Sequence, residues 1–247
     1  MSRYFMHLSF DGTAYHGWQI QQNAISVQQK LDEALATLLG RESGTVGCGR
    51  TDAGVHASSF FAHFDAPAMN NEELCFRLNG LLPPDIAVHS VIPVPADAHA
   101  RFSALSRTYR YTVSKRKDPF RQKTALMFNA HLDIEKMNEA AAALLQQSDF
   151  SSFCKANEQA HDNHCKIFSA LWTARGHLLF FDIRANRFLR NMVRALTGTL
   201  LQVGTGEIDR DGFLSIMEKK DRRAAGPSLP ARGLCLTNVT YPEELLK

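Results

Sequence analysis

Four large residues, Tyr4, Met6, Leu8 and Phe10, recur at every second position near the start of the chain. In a strand, period two sends all four to one face, so the segment predicts a strand with one buried side. Asp11-Gly12-Thr13 reads as the turn that ends it. A helix signature follows. Ser26 stands as N-cap with Gln29 three residues on; Val27, Leu31, Ala34, Leu35 and Leu38 keep helical spacing, and Gly40 ends the run. Residues 59–65 and 86–92 read as strands around a short helix over 70–79, capped by Asn70 with Glu73. The order is strand, helix, strand, helix, strand.

A comparable series begins after Pro93 and Pro95. Tyr109, Tyr111 and Val113 alternate with Thr108, Arg110 and Thr112. Asp133 caps a helix to about Gln147, with Met137, Ala141, Leu144 and Leu145 inward. Residues 167–173 and 178–184 are strands joined near Arg175-Gly176. Asn186 is expected to cap a helix running to about Gln202. A shorter helix over 211–218 and a strand over 234–240 complete the series. The chain therefore reads as two α+β halves with a boundary near residues 93–106, residues 1–100 forming one lobe and 101–247 the other. The shared order admits an ancient duplication, although no repeat is visible residue by residue.

The 247 residues suffice for such a pair of cores. No stretch approaches the roughly 18 apolar residues of a membrane span, and the N-terminus lacks the apolar core of a signal peptide. A cytoplasmic protein is expected. Five scattered cysteines without a C-x-x-C pair argue against a disulfide framework. The net charge is only +3, yet eight Lys and Arg fall between Arg101 and Lys123 against one acid, Asp118. Such local density suits a polyanion, and equally a solvated basic loop.

Four places could carry chemistry. Gly47-Cys48-Gly49-Arg50-Thr51-Asp52-Ala53-Gly54 sets one carboxylate among three glycines after a strand-like Thr45-Val46. An aspartate on so tight a loop suits catalysis or simple turn-making, and the run is neither a dinucleotide fingerprint nor a P-loop. Along the helix expected from Asn186, Arg187, Arg190 and Arg194 would share a face and sit where the helix dipole favours anions; a solvated amphipathic helix is the plainer reading. Aromatics and arginines alternate over Ser106-Arg107-Thr108-Tyr109-Arg110-Tyr111. They would serve to stack a base while holding phosphates, or only to line a half-exposed strand. Cys154, His161, His164 and Cys165 are zinc-type ligands, but adjacent His164 and Cys165 fit one tetrahedral ion poorly, and no metal is expected.

Taken in order, the motifs resemble the TruA family of tRNA pseudouridine synthases over nearly the full length. The likeness rests on Phe10-Asp11-Gly12-Thr13-Ala14-Tyr15-His16-Gly17-Trp18-Gln19; on Gly49-Arg50-Thr51-Asp52-Ala53-Gly54-Val55-His56-Ala57; and on His99-Ala100-Arg101-Phe102-Ser103-Ala104 with Arg107 to Tyr111. Phe188-Leu189 with Met192-Val193-Arg194, and Ala231-Arg232-Gly233-Leu234-Cys235-Leu236, complete it. The resemblance implies an α+β fold of two similar α/β-sandwich lobes sharing a central, mainly antiparallel sheet, with an active-site cleft between them. It implies a homodimer, without metal or organic cofactor, acting on the tRNA anticodon stem-loop at positions 38–40. By residue, it implies Asp52 as catalytic aspartate, Arg50 in extruding the target base, Tyr109 in stacking, Arg194 as basic partner of the aspartate and Leu234 in lining the pocket. The family varies over residues 152–167 and 115–124, and Pro227 and Pro230 stiffen the approach to Gly233. Two other readings compete: a synthase of the same fold acting at other RNA positions, and an RNA-binding protein without catalysis. A glycoside hydrolase normally needs two placed carboxylates, and one strong candidate is visible.

Overall fold

The computed structural model describes residues 1–154 and 162–246. Its strands are β1 (Ser2–Phe10), β2 (Val46–Gly47), β3 (His56–Ala66), β4 (Ile86–Val94), β5 (Ser106–Ser114), β6 (Leu126–Met127), β7 (Ile167–Arg175), β8 (Leu178–Ala185) and β9 (Leu234–Thr240). Its helices are α1 (Val27–Leu39), α2 (Asn71–Leu81), α3 (Ile134–Ala143), α4 (Met192–Thr205) and α5 (Arg210–Lys219). The fold is α+β and its sheet pairing is mainly antiparallel, as expected. The chain divides into two compact units, Met1–Ser106 with Leu236–Lys247, and Arg107–Cys235.

In the first unit the strand order is β4-β1-β3-β9, with β2 on β3. Strands β4 and β3 both run antiparallel to β1. Tyr4, Met6, Leu8 and Phe10 are buried, as their period predicts. Phe5 is buried too, edge-on to Tyr241 at 5.2 Å, so the opposite face is covered at that end of the strand. The Ser26 hydroxyl accepts from the Gln29 amide at 3.2 Å, but the Gln29 side chain turns to Glu33 instead of closing a capping box. Asn70 accepts from the amides of Glu72 and Glu73. Helix α2 then packs against β4, where the Asn79 amide group bonds both the N–H and the C=O of Val88 at 2.8 Å.

In the second unit β8 lies between β5 and β7, antiparallel to both, and β6 adds a short parallel pairing to β5. Helix α3 packs on β7 and α4. Here too one asparagine satisfies a strand backbone: Asn138 accepts from the Trp172 N–H at 2.7 Å and donates to its C=O at 3.1 Å. Helix α4 is buried along most of its length. It meets α3 closely at Gly204, where a Cβ would lie 2.5 Å from the Met137 sulfur.

One expectation fails. No helix starts at Asn186. Its side-chain oxygen accepts from the amides of Lys166 and Arg187, closing the end of the β7–β8 hairpin. The helix begins six residues later at Met192, after Asn191 takes a left-handed conformation (φ 66°). Arg187 and Arg190 therefore precede the helix and share no helical face with Arg194.

A set of partly buried histidines makes the first unit acid-sensitive. His63, 6% exposed, accepts the Ala100 N–H at 3.1 Å and meets His99 edge-on at 4.6 Å. Burial, with the charges of His99 and Arg3, pushes it down to about 4. The unfolded chain thus binds the extra proton between pH 6.5 and about 4, so its contribution is full above 6.5 and is lost as the pH falls through that window. At pH 5 the loss should be about 2 kcal/mol. Asp32 acts in the opposite sense, because burial raises its carboxyl to about 6. The His63→Gln difference is therefore the proper measure. Urea unfolding of His63→Gln should be less stable than wild type near neutrality and should converge with it toward pH 5; parallel pH dependences would refute the assignment.

Candidate active site

The Asp52 loop joins β2 to β3, and its shape comes from the backbone. The Cys48 amide donates to Phe61 O at 2.7 Å, extending the β2–β3 ladder. Gly54 turns with φ 77°, and the Val55 amide closes onto Asp52 O at 3.1 Å. The Gly54 amide donates to Tyr15 O at 3.1 Å, tying the loop to the segment after β1. Two glycines let the chains meet. A Cβ on Gly12 would lie 2.0 Å from Val55 O, and one on Gly17, at φ 88°, would lie 2.1 Å from Thr51 O. Asp52 is left half-buried and Arg50 exposed. The Thr51 hydroxyl, shielded from solvent beside Asp52, makes no hydrogen bond among the described residues.

The segment behind the loop is itself locked. The Tyr15 hydroxyl donates to the Asp85 carboxylate at 2.5 Å, and burial with that carboxylate raises its pKa. The Asp11 amide donates to Asp85 O at 2.9 Å. His56 Nδ1 accepts the Gly12 amide at 3.1 Å and lies 3.0 Å from the Asp11 carboxylate. Trp18 stacks on Phe60 at 4.2 Å, leaving Gly47 no room for a side chain. The sequence reading gave Gly12 only a place in the turn after β1 and gave no roles to Tyr15, Gly17 and Asp85. The first three lie in the opening motif of the family likeness, whereas nothing around Asp85 marked it.

In the second unit, Tyr109 and Tyr111 point the same way from β5 but serve differently. Tyr111 is fully buried and donates to Pro230 O at 2.8 Å; its ring leaves no space for a side chain at Gly233. Tyr109 is half-buried, with its ring edge-on to Phe188 at 5.2 Å. Arg110, on the other face, pairs with Asp182 through two bonds of 2.8 Å and lies over the Phe180 ring. Arg194 is in the first turn of α4. Its Nε donates to Leu229 O at 2.6 Å, while its own carbonyl accepts the Leu229 amide at 3.3 Å. The segment 227–230 is thus fastened to α4 at Arg194 and again at Gly198, where a Cβ would lie 2.0 Å from Pro227 O. Leu234, buried, follows directly at the start of β9. Tyr111, Arg194 and the run into Leu234 therefore form one packed group.

The basic helical face expected from Arg187, Arg190 and Arg194 reduces to Arg194 alone. Arg187 is exposed, with Nη1 3.5 Å from the Asp162 carboxylate. Of the candidate zinc ligands, Cys154 and Cys165 are buried, while exposed His164 bonds Asp162 at 2.6 Å. His161 lies outside the described residues. Among the described residues no group of three His, Cys, Asp or Glu side chains is arranged to hold a metal ion.

The close approach at Gly17 yields a direct test. Gly17→Ala combines an unfavourable φ with a clash against Thr51 O and should cost roughly 1–3 kcal/mol in urea unfolding followed by tryptophan fluorescence. Gly49→Ala, with open space around its Cβ, should cost less than about 1 kcal/mol. Equal costs would mean that the loop is not held by this contact.

Comparison with known proteins agrees along the whole chain. A family model described as tRNA pseudouridine synthase matches residues 140–242. The chain is 50% identical to the tRNA pseudouridine synthase A of Parabacteroides distasonis over 99% of its own length and 98% of that protein. It is 48% identical to the Bacteroides fragilis protein of the same name over 100% and 99% of the two lengths. It is 41% identical to that of Bacillus subtilis over 95% and 97%.

Proposed function

The chain belongs to the tRNA pseudouridine synthase A family, and on that premise we propose that it isomerises uridine at positions 38–40 of the tRNA anticodon stem-loop, with Asp52 as nucleophile. The observation that carries the reading is a half-buried carboxylate on a loop whose backbone is pinned from below, so that the side chain is presented without freedom to drift.

The reaction breaks C1′–N1, turns the uracil and joins C1′ to C5. The C5 proton leaves to solvent and N1 takes up a proton, so there is no net redox change or hydrolysis. An ionised carboxylate can attack either the sugar or base C6. A guanidinium partner favours that ionised form, and Arg194 is assigned the part; its backbone and Nε bonds to Leu229 restrict its motion. The target base must leave its stack before any of this. Arg50, exposed on the Asp52 loop, is assigned to the extrusion. Tyr109, half-buried on β5, is assigned to stacking on the base, and Leu234 to the apolar wall of the pocket. Tyr109 is also our candidate acceptor of the C5 proton, since Tyr111 has its hydroxyl committed to Pro230. We read the enzyme as a cytoplasmic homodimer.

The test uses unmodified tRNA tritiated at uridine C5. Wild type should release tritium at one equivalent per modified site, and Asp52→Ala should release none above background. Mapping the product should place pseudouridine at 38–40. Release from Asp52→Ala equal to wild type would remove the nucleophile assignment, and product elsewhere would remove the positional one. Tyr109→Phe should slow single-turnover release at least tenfold while binding changes little; full-rate release would rule out the hydroxyl as proton acceptor.

A further inference from the structure

Beyond β5 the chain makes a short basic finger that the chemistry above does not use. Ser114 ends the strand, and its hydroxyl donates to Arg116 O at 2.7 Å. Asp118 then caps a single 3-10 turn, Pro119–Arg121, by accepting the Phe120 amide at 3.0 Å. The Thr124 and Ala125 amides return to Arg121 O at 3.1 and 2.9 Å, and the Lys115 ammonium donates to Ala130 O. The finger is therefore built, with its backbone closed on itself at both ends.

Its side chains are sorted by charge. Asp118, the one acid of the run, has only 18% of its side chain exposed and is turned inward onto His177 at 3.1 Å. Arg116, Lys117, Arg121 and Lys123 are exposed. Among them Phe120 is 95% exposed at the apex of the turn. A lone exposed ring is ordinary on a protein surface, and what sets Phe120 apart is the cluster of exposed cations around it. A polyanion that also carries flat π-faces satisfies both features.

We propose that residues 115–123 form a second RNA contact, remote from the reacting uridine: Phe120 stacks on an unpaired base of the substrate while Arg116, Lys117, Arg121 and Lys123 hold its phosphates. This rests on the reading of the chain as an enzyme acting on tRNA. The position suits the task. Tyr109 and Ser114 are five residues apart on β5, which puts the finger about 17 Å along the strand from Tyr109. A tRNA delivering one base to Tyr109 carries backbone well past that distance, so the finger would set where the RNA lies, not what happens to the base.

Four variants separate the contributions. Arg116→Gln/Lys117→Gln/Arg121→Gln should weaken binding of unmodified tRNA about tenfold at moderate salt and flatten the slope of log Kd against log salt by about 3, one phosphate per cation removed. Phe120→Ala should weaken binding at least fivefold with little change of slope, Phe120→Trp should restore it, and Phe120→Leu should not, because only a ring stacks. Single-turnover tritium release at saturating tRNA should stay within about twofold of wild type for all four. Unchanged affinity and slope in the triple variant would overturn the proposal. So would a Phe120→Ala protein whose mass in light scattering drops while its RNA affinity holds, since the ring would then serve contact between protein copies. If wild type bound tRNA through these residues yet released no tritium, the finger would stand and the catalytic reading would fall.

Discussion

The contact on which the Asp52 site depends is between two backbones. The segment after β1 lies directly beneath the loop before β3, and the two are so close that only hydrogen atoms fit at Gly12 and Gly17. The Tyr15 carbonyl then receives the Gly54 amide, and the Tyr15 side chain is anchored below by Asp85. Each hydrogen bond contributes only about 1 kcal/mol. Their value lies in direction: they leave the Asp52 backbone little choice of conformation, so in the proposed reaction its ordering entropy is spent in folding and not at the moment of attack. A carboxylate on a free loop would have the same chemistry and a much smaller chance of being in place.

The second unit reaches the same end by another route. There the fixed element is α4, buried along most of its length, and the Pro-flanked segment 227–230 is bound to it at Arg194 and Gly198. The Tyr111 hydroxyl grips Pro230 from the strand side. Tyr111, outwardly the equal of Tyr109, is thus a structural member, which leaves Tyr109, and not Tyr111, for the stacking role proposed above. The units also share a device for a sheet margin. An asparagine from the adjacent helix, Asn79 or Asn138, fills both hydrogen-bonding groups of one strand residue, Val88 or Trp172. Unpaired strand backbone invites association, and the amide blunts it at the cost of a single residue. The repetition of this detail in both units fits the similar order of elements read from the sequence.

How much of this the sequence reveals follows from the range of each interaction. Period-two strands and side-chain caps are local, so β1, α1 with Ser26 and Gly40, and α2 with Asn70 are legible to within a residue or two. The start of α4 was misread because Asn186 carries a valid N-cap side chain whose acceptor is taken from outside, by Lys166 twenty residues away. The actual start needs a left-handed Asn191, for which a single sequence offers no periodic signal. Of the two-residue strands, β2 shows in the strand-like Thr45-Val46, whereas β6 falls below any pattern. Among the proposed site residues, the ordered motifs give roles to Asp52, Arg50, Tyr109, Arg194 and Leu234, but not to the glycines and Asp85 that immobilise the Asp52 loop. Those act across 30 to 70 residues of chain, and only packing exposes them.

The distribution of charge carries the last step. A net of +3 is weak for a protein that must hold a polyanion. What matters is where acids are spent. Asp182 is consumed by Arg110, Asp65 by Arg3, Asp162 by His164 and Arg187, and Asp118 by its own turn and His177. Arginines with a carboxylate opposite them stiffen the fold and contribute little outward field. The cations of residues 116–123 face solvent while their one neighbouring acid is turned in, so the local potential there is far more positive than the net charge suggests. Phosphate attraction scales with such local groups, each releasing about one counterion on contact, and not with the sum over the chain. On the proposed contact, a near-neutral protein would hold RNA where its cations cluster while its remaining surface stays indifferent to other nucleic acid.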